Sequence, residues 1–269
     1  MSFIMVTKSD IIKSFKELGI ESTDILLVHS SLKSFGTVDG GAETVIEALK
    51  EVVCDGTLVM PALRQRNWQD AYKDWDINNT PSDVGLITET FRKSAGVLRS
   101  NQETHSVCAF GKHAKYLTEA HSTGKPRYGS FGPYAFSLNS PWERMYELGA
   151  KVVFIGVNMT YNTFKHYVEQ KVANDLMDAL SEENRAKALS ELDLFFKGGS
   201  IYFGHSGLRV QQFLDEKGYI HYGKCGEATL TMYKIKEYVP IMEKELYEKP
   251  TFWLNETGGD WVERYKKLL

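Results

Sequence analysis

Four short, unbroken apolar runs constrain this chain most. Ile25-Leu-Leu-Val28 follows Asp24, Thr57-Leu-Val-Met60 stops at Pro61, and Ser106-Val-Cys-Ala-Phe110 and Val152-Val-Phe-Ile155 come later. A strand with one wet face alternates polar and apolar side chains; a strand that is apolar throughout has both faces covered. Between the first two runs, Ala42 to Val53 carries apolar residues at 45, 46, 48, 49, 52 and 53, which is one stripe of a helix. Lys8 to Gly19, with apolar residues at 11, 12, 15 and 18, reads as a helix before the first run. The opening therefore contains strand, loop, helix, strand, and such a βαβ unit favours parallel strands joined by a right-handed crossover.

Further along, helices are expected over Asp83–Ser94, Thr163–Ala173, Glu182–Phe196 and Lys236–Glu248. Ser140-Pro-Trp-Glu143 predicts a helix start: Ser140 as cap, Pro141 in the first turn, Glu143 closing a capping box. Residues 64–82 and 124–139 read as long loops. Ala228-Thr-Leu-Thr-Met-Tyr233 alternates and predicts an antiparallel strand. The fold class is α/β: a mixed, mostly parallel central sheet flanked by helices, with an antiparallel C-terminal portion. At 269 residues the chain suits a single domain over 1–269, divisible near residue 160 into a core (about 8–160) and a C-terminal portion (about 161–269).

Composition removes several function classes. The net charge of −3 lacks the basic excess of a nucleic-acid binder, so no nucleic-acid partner is expected. No apolar run approaches the roughly 20 residues a membrane helix needs, so no membrane partner is expected either. Residues 1–8 lack the pattern of a signal peptide, which points to the cytoplasm. Cys54, Cys108 and Cys225 form no C-x-x-C pair, so neither a disulfide framework nor a zinc knuckle is expected, and no metal.

Four constellations could carry chemistry. His29-Ser-Ser-Leu-Lys-Ser-Phe-Gly36 follows a buried strand and precedes a helix, where open α/β sheets bind ligands. Its hydroxyls and free N–H groups could hold a phosphate, although neither a P-loop nor a dinucleotide fingerprint is present; a plain βα turn has the same look. His166 and Glu169 lie three apart on a predicted helix, as a general base with its acid or as a surface pair. Ser106, beside His105, could donate to a carbonyl oxygen, act as a hydrolase nucleophile or only satisfy backbone. The nucleophile elbow G-x-S-x-G is missing here and at Gly204-His-Ser-Gly207. Cys108, inside an apolar strand, reads as inert. Trp68, Asp70, Tyr72, Asp74, Trp75, Asp76 and Asp83 would suit a cationic, sugar-like ligand, or form a solvated surface.

In order along the chain, the motifs resemble one family, the aminoglycoside 3-N-acetyltransferases. The matching stretches are Leu26-Leu-Val-His-Ser-Ser-Leu32, Gly40–Leu49, Gly56-Thr-Leu-Val-Met-Pro61, Gly96-Val-Leu-Arg-Ser100, Ser140–Tyr146 and Thr163-Phe-Lys-His-Tyr-Val-Glu169, with a weaker echo at Gly223–Ala228. The resemblance implies acyl transfer from acetyl-CoA, or another acyl-CoA, to a primary amine of a small-molecule acceptor, with no metal. His166 would match the family's base and Glu169 its partner. His29, Ser30, Ser31, Leu32, Lys33, Ser34, Phe35 and Gly36, together with Arg99, His105 and Ser106, would hold the coenzyme. Ser106 would also lie by the thioester. Trp68, Asp70, Tyr72 and Glu169 would face the acceptor, and a homodimer is one expectation. Gln102-Glu103, Glu143 and Thr231 depart from the family pattern, mostly on the acceptor side. A nucleotide-linked amino sugar, held by Arg64, Arg66 and Arg127, is therefore a second candidate acceptor. A serine hydrolase using Ser106 or Ser206, or a non-catalytic coenzyme-binding protein, are further readings.

Overall fold

A computed structural model describes residues 5–66, 68–197 and 203–269. Its strands are β1 (Ile25–Ser30), β2 (Thr57–Pro61), β3 (Leu98–Arg99), β4 (Val107–Gly111), β5 (Lys151–Ile155), β6 (His221–Cys225) and β7 (Ala228–Lys234). They form one sheet in the order β3-β4-β2-β1-β5-β7-β6. The helices are α1 (Lys8–Glu17), α2 (Gly41–Val52), α3 (Leu86–Lys93), α4 (Ala114–Thr118), α5 (Pro141–Leu148), α6 (Phe164–Ala179), α7 (Glu182–Lys197), α8 (Gly207–Glu216), α9 (Ile235–Glu248), α10 (Pro250–Trp253) and α11 (Glu256–Lys266).

The sheet is mixed, as expected, with a smaller parallel share than expected. Only the central pairings, β1 with β2 and β1 with β5, are parallel; β4 on one side and β7 on the other are already antiparallel. β6 and β7, from the C-terminal portion, complete the same sheet. The apolar runs divide by parity, as the two-residue period of a strand requires. Ile25, Leu27, Val59, Val152 and Phe154 join a core with α4–α11 on one face. Leu26, Val28, Leu58, Met60, Val153 and Ile155 join a second core with α1–α3 on the other.

Several boundaries move for identifiable reasons. His29 and Ser30 belong to β1, because β5 continues the parallel ladder beside them to Ile155. Pro61 closes β2 rather than following it, at a strand end where its missing N–H costs no ladder bond. The helix expected from Asp83 starts only at Leu86. Gly85 has φ 132°, and the Asp83 carboxylate accepts the backbone N–H groups of Gln65 and Arg66 instead of capping. Ser140 caps α5 as expected, accepting from the N–H of Glu143. Glu143 does not close the box: its carboxylate pairs with Arg127 and accepts from the Tyr167 hydroxyl. Gly156, directly after β5, has φ 63°, and a Cβ there would overlap the Ser34 side chain. Among the described residues, no helix is long and apolar enough to cross a membrane.

Candidate active site

β1, β2 and β5 point their carboxyl ends the same way, and a cavity of about 380 Å³ opens there. This is the crevice that α/β sheets use for ligands. Its lining includes His29, Ser30 and Ser31 from the end of β1, Pro61 and Leu63 after β2, Val157 after β5, and Thr163. Ring packing against Phe154 at 5.0 Å fixes the His29 imidazole, whose Nε2 is buried without a partner. Among the described residues the hydroxyls of Ser30, Ser31 and Thr163 have no hydrogen-bond partner, so the crevice offers polar groups to a ligand.

The expected coenzyme segment divides at this point. His29, Ser30 and Ser31 face the crevice. Leu32–Phe35 forms a turn of 3₁₀ helix: Lys33 is exposed, Ser34 donates to the Ser31 carbonyl at 2.7 Å, and Phe35 is buried in the second core. Gly36 has φ 81° against the Glu227 side chain. Leu32 and Phe35 thus pack rather than bind, because the short helix turns them inward.

His166 lies in the first turn of α6, three residues after Thr163 and on the same side of the helix. Asn162 anchors this end: its Oδ1 accepts from the N–H of Phe164 and from the Tyr233 hydroxyl on β7. The Nδ1 of His166 is 2.7 Å from Glu169 Oε2, while among the described residues none is hydrogen-bonded to its Nε2. Phe131, Trp68 and His105 wall the ring: Phe131 meets it edge-on at 4.7 Å, Trp68 packs on Phe131 at 5.2 Å, and His105 stands at 6.2 Å. Glu169 is 3% exposed, and its second oxygen, Oε1, lies 2.5 Å from Nδ1 of His205. Burial alone would push this carboxyl up, but the two imidazoles outweigh it and hold it down at about 2. Burial lowers the His166 ring and Glu169 partly restores it; the net direction is down, so the ring is neutral near pH 7.

Three expected site residues do other work. Ser106 is fully buried, donates to the Ala62 carbonyl at 2.8 Å and accepts from Arg99 Nε at 3.1 Å, so its proton is unavailable to a thioester oxygen. Arg99 ties the carbonyls of Ala62, Ile77 and Thr80 together beneath the Trp75 ring. It is a brace rather than a coenzyme ligand, and burial draws its guanidinium down to about 10. Glu169 is enclosed, with each oxygen on a different imidazole, so it does not contact an acceptor. In the acidic loop, Trp68 reaches the site through Phe131, whereas Asp70 is exposed and paired with Lys73, and Tyr72 is exposed. Among the described residues no three His, Cys, Asp or Glu side chains could hold a metal ion.

His29, His105 and His121 are buried. Burial draws His29 and His121 down to about 3 and His105 well below its ordinary 6.5. The unfolded chain therefore takes up protons below pH 6.5 that the folded chain refuses. Stability is complete above that pH and falls as pH drops toward the folded values. By pH 5 His29 and His121 each cost about 2 kcal/mol, and His105 acts in the same direction. Urea unfolding at pH 7.5, 6 and 5 checks this; equal stability at pH 7.5 and 5 would contradict it.

The family model for aminoglycoside 3-N-acetyltransferase matches residues 27–247. The SPbeta prophage-derived aminoglycoside N(3′)-acetyltransferase-like protein YokD of Bacillus subtilis is 30% identical, over 88% of this chain and 91% of that protein. The aminoglycoside N(3)-acetyltransferase III of a Salmonella species is 31% identical, over 61% of this chain and 60% of that enzyme. In three dimensions, AAC-IIIb, solved as a binary complex with CoASH, superposes with a TM-score of 0.71 over 91% of this chain and 97% of that one, at 18% identity.

Proposed function

The chain belongs to the aminoglycoside 3-N-acetyltransferase family, a family of acyltransferases, and on that premise we propose that it transfers the acetyl group of acetyl-CoA directly to a primary amine of an aminoglycoside. One observation carries the mechanism. His166 is held through Nδ1 by a buried carboxylate, its Nε2 is unpartnered, and it sits one helical turn from the crevice-lining Thr163.

An ammonium has no lone pair, so the acceptor must first lose a proton to solvent. The neutral amine then attacks the thioester carbonyl, forming a C–N bond and a tetrahedral oxyanion. His166 Nε2 takes the proton that the nitrogen sheds on attack. Glu169, accepting the Nδ1–H, stabilises the imidazolium that results. Collapse re-forms the carbonyl and breaks the C–S bond, and the imidazolium returns its proton to the departing thiolate. The unpartnered hydroxyl of Thr163, on the same helix side as the base, is the donor best suited to the oxyanion, in the role that Ser106 cannot fill. His29, Ser30 and Ser31 are the chain's groups for the coenzyme arm, in keeping with the CoASH complex of the fold neighbour AAC-IIIb.

The acceptor choice rests on charge. Two of the three arginines that a nucleotide diphosphate would need are engaged: Arg64 with Asp74, Arg127 with Glu143. Beside the crevice lies a depression lined by Asp74, Asp76 and Asp83 together with Arg64 and Arg66, so its border is net negative by one charge, which favours a cationic acceptor over a diphosphate. The hydrolase reading has no support in the serines, since Ser106 is enclosed and Ser206 caps α8. The test is thiol release from acetyl-CoA with a panel of aminoglycosides and nucleotide-linked amino sugars. Amine-dependent release with intersecting, sequential kinetics is expected, and only with the aminoglycosides. Cys108 stays unacylated, because burial pushes its thiol up to about 12. An acyl-enzyme detected by mass spectrometry without acceptor would sink the direct mechanism.

A further inference from the structure

Glu169 faces two imidazoles, and the mechanism uses only one. His205 lies in the chain leading into α8, with its side chain completely enclosed. Its backbone is fixed from both sides: His205 bridges antiparallel to Leu254, the N–H of Asn255 donates to the Gly204 carbonyl at 2.6 Å, and Ser206 caps α8. The ring is therefore delivered to Glu169 by the packing of the C-terminal portion. Its Nδ1 is 2.5 Å from Glu169 Oε1, whereas its Nε2 is buried without a partner. An imidazolium would bury an N–H at Nε2 with no acceptor, which is costly. The single proton of a neutral ring therefore belongs on Nδ1, where the carboxylate accepts it.

We propose that His205 is a positioning residue that donates its Nδ1–H to Glu169, so that one carboxylate is shared between two imidazoles and His166 keeps its Nε2 lone pair free at neutral and mildly acidic pH. This rests on His166 being the base. The physics is a division of charge. A carboxylate that accepts one N–H on each oxygen is held ionised and in place, yet attracts a proton onto either ring less strongly than an undivided one. The other groups around the pair are Lys165 on α6, His105 across the ring of His166, and Tyr238 on α9 beside Glu169. Lys165 disfavours protonation of His166, while His105 and Tyr238 are buried and neutral at pH 7. His205 is thus the group whose removal most directly concentrates the negative charge of Glu169 on His166. Without it the His166–Glu169 pair takes up a proton at higher pH, and the base is blocked in the range where the acceptor is already hard to deprotonate.

The test is a titration of the full-length protein labelled with ¹⁵N-histidine, followed by long-range ¹H–¹⁵N spectra. Wild type is expected to carry the His205 proton on Nδ1 and none on Nε2. In His205→Leu the midpoint for proton uptake by His166 rises by about one pH unit. In His205→Asn, whose side-chain amide can replace the Nδ1–H, it stays near the wild-type value. A proton on Nε2 of His205 in wild type, or an unmoved midpoint in His205→Leu, overturns the proposal. If His205→Leu does not fold, the wild-type tautomer decides. Turnover separates this result from the reading beneath it: full activity in His166→Ala removes the general base, while an unmoved His166 midpoint removes only the role of His205.

Discussion

Replacing His166 by alanine is expected to lower kcat by about 10²–10⁴-fold, the usual contribution of a positioned general base. The coenzyme dissociation constant should stay close to wild type. The crevice groups His29, Ser30 and Ser31 lie on β1, and His166 is not among the residues lining the cavity. Deleting the ring removes the acceptor of the nitrogen's proton and leaves that wall intact. The loss should also shrink as pH rises, because hydroxide can partly replace the base in taking the proton shed on attack. Steady-state kinetics between pH 6 and 9.5, with coenzyme binding followed by calorimetry, would show it. A kcat within threefold of wild type, or coenzyme affinity lost together with turnover, would take His166 out of the chemistry.

The second large effect concerns stability, at Glu143. This carboxylate is nearly buried between the Arg127 guanidinium and the Tyr167 hydroxyl, and the guanidinium also lies 5.2 Å from the Tyr167 ring. Glu143→Ala leaves Arg127 charged and buried without its partner, at a cost of about 3–5 kcal/mol. For a chain of this size that corresponds to a fall in Tm of roughly 10 °C. The double variant Arg127→Met/Glu143→Leu should recover most of the loss, since apolar side chains need no counter-charge. Thermal melts of the single and double variants measure both. A single variant within about 1 kcal/mol of wild type would mean that water reaches Arg127. Tyr167 directly follows His166 on α6, so the same network helps to set the angle at which the His166 ring is presented.

Much of this architecture could be read from the linear order of residues. The continuous apolar runs at 25–28 and 152–155 required cover on both faces, and the two cores supply it. The Ser140-Pro141 start, the α2 stripe and the alternation at 228–233 each depend on neighbours a few positions apart, so local chemistry settles them. The His166–Glu169 pair belongs to the same class, because a spacing of three on a helix brings two side chains together whatever else surrounds them. The direction of β4 was not legible. An apolar strand looks the same in a parallel or an antiparallel pairing, and the choice follows from the path of the long connection through 64–97.

The roles of individual polar residues divided along the same line. A serine beside a histidine at a strand start gives no sign of which way its hydroxyl turns, and Ser106 points to a carbonyl 44 residues away in sequence. Glu143 stood where a capping box would use it, but a buried arginine 16 residues earlier competes for the carboxylate. His205 carried no local signal at all, since 36 residues separate it from Glu169. Sequence alone determined the family, many of the elements and the pairing of His166 with Glu169, because those rest on short-range periodicity and order. Tertiary structure decided which hydroxyls are free, which carboxylate is shared and which charges are sealed. Those outcomes depend on partners that meet only when distant segments exclude water together.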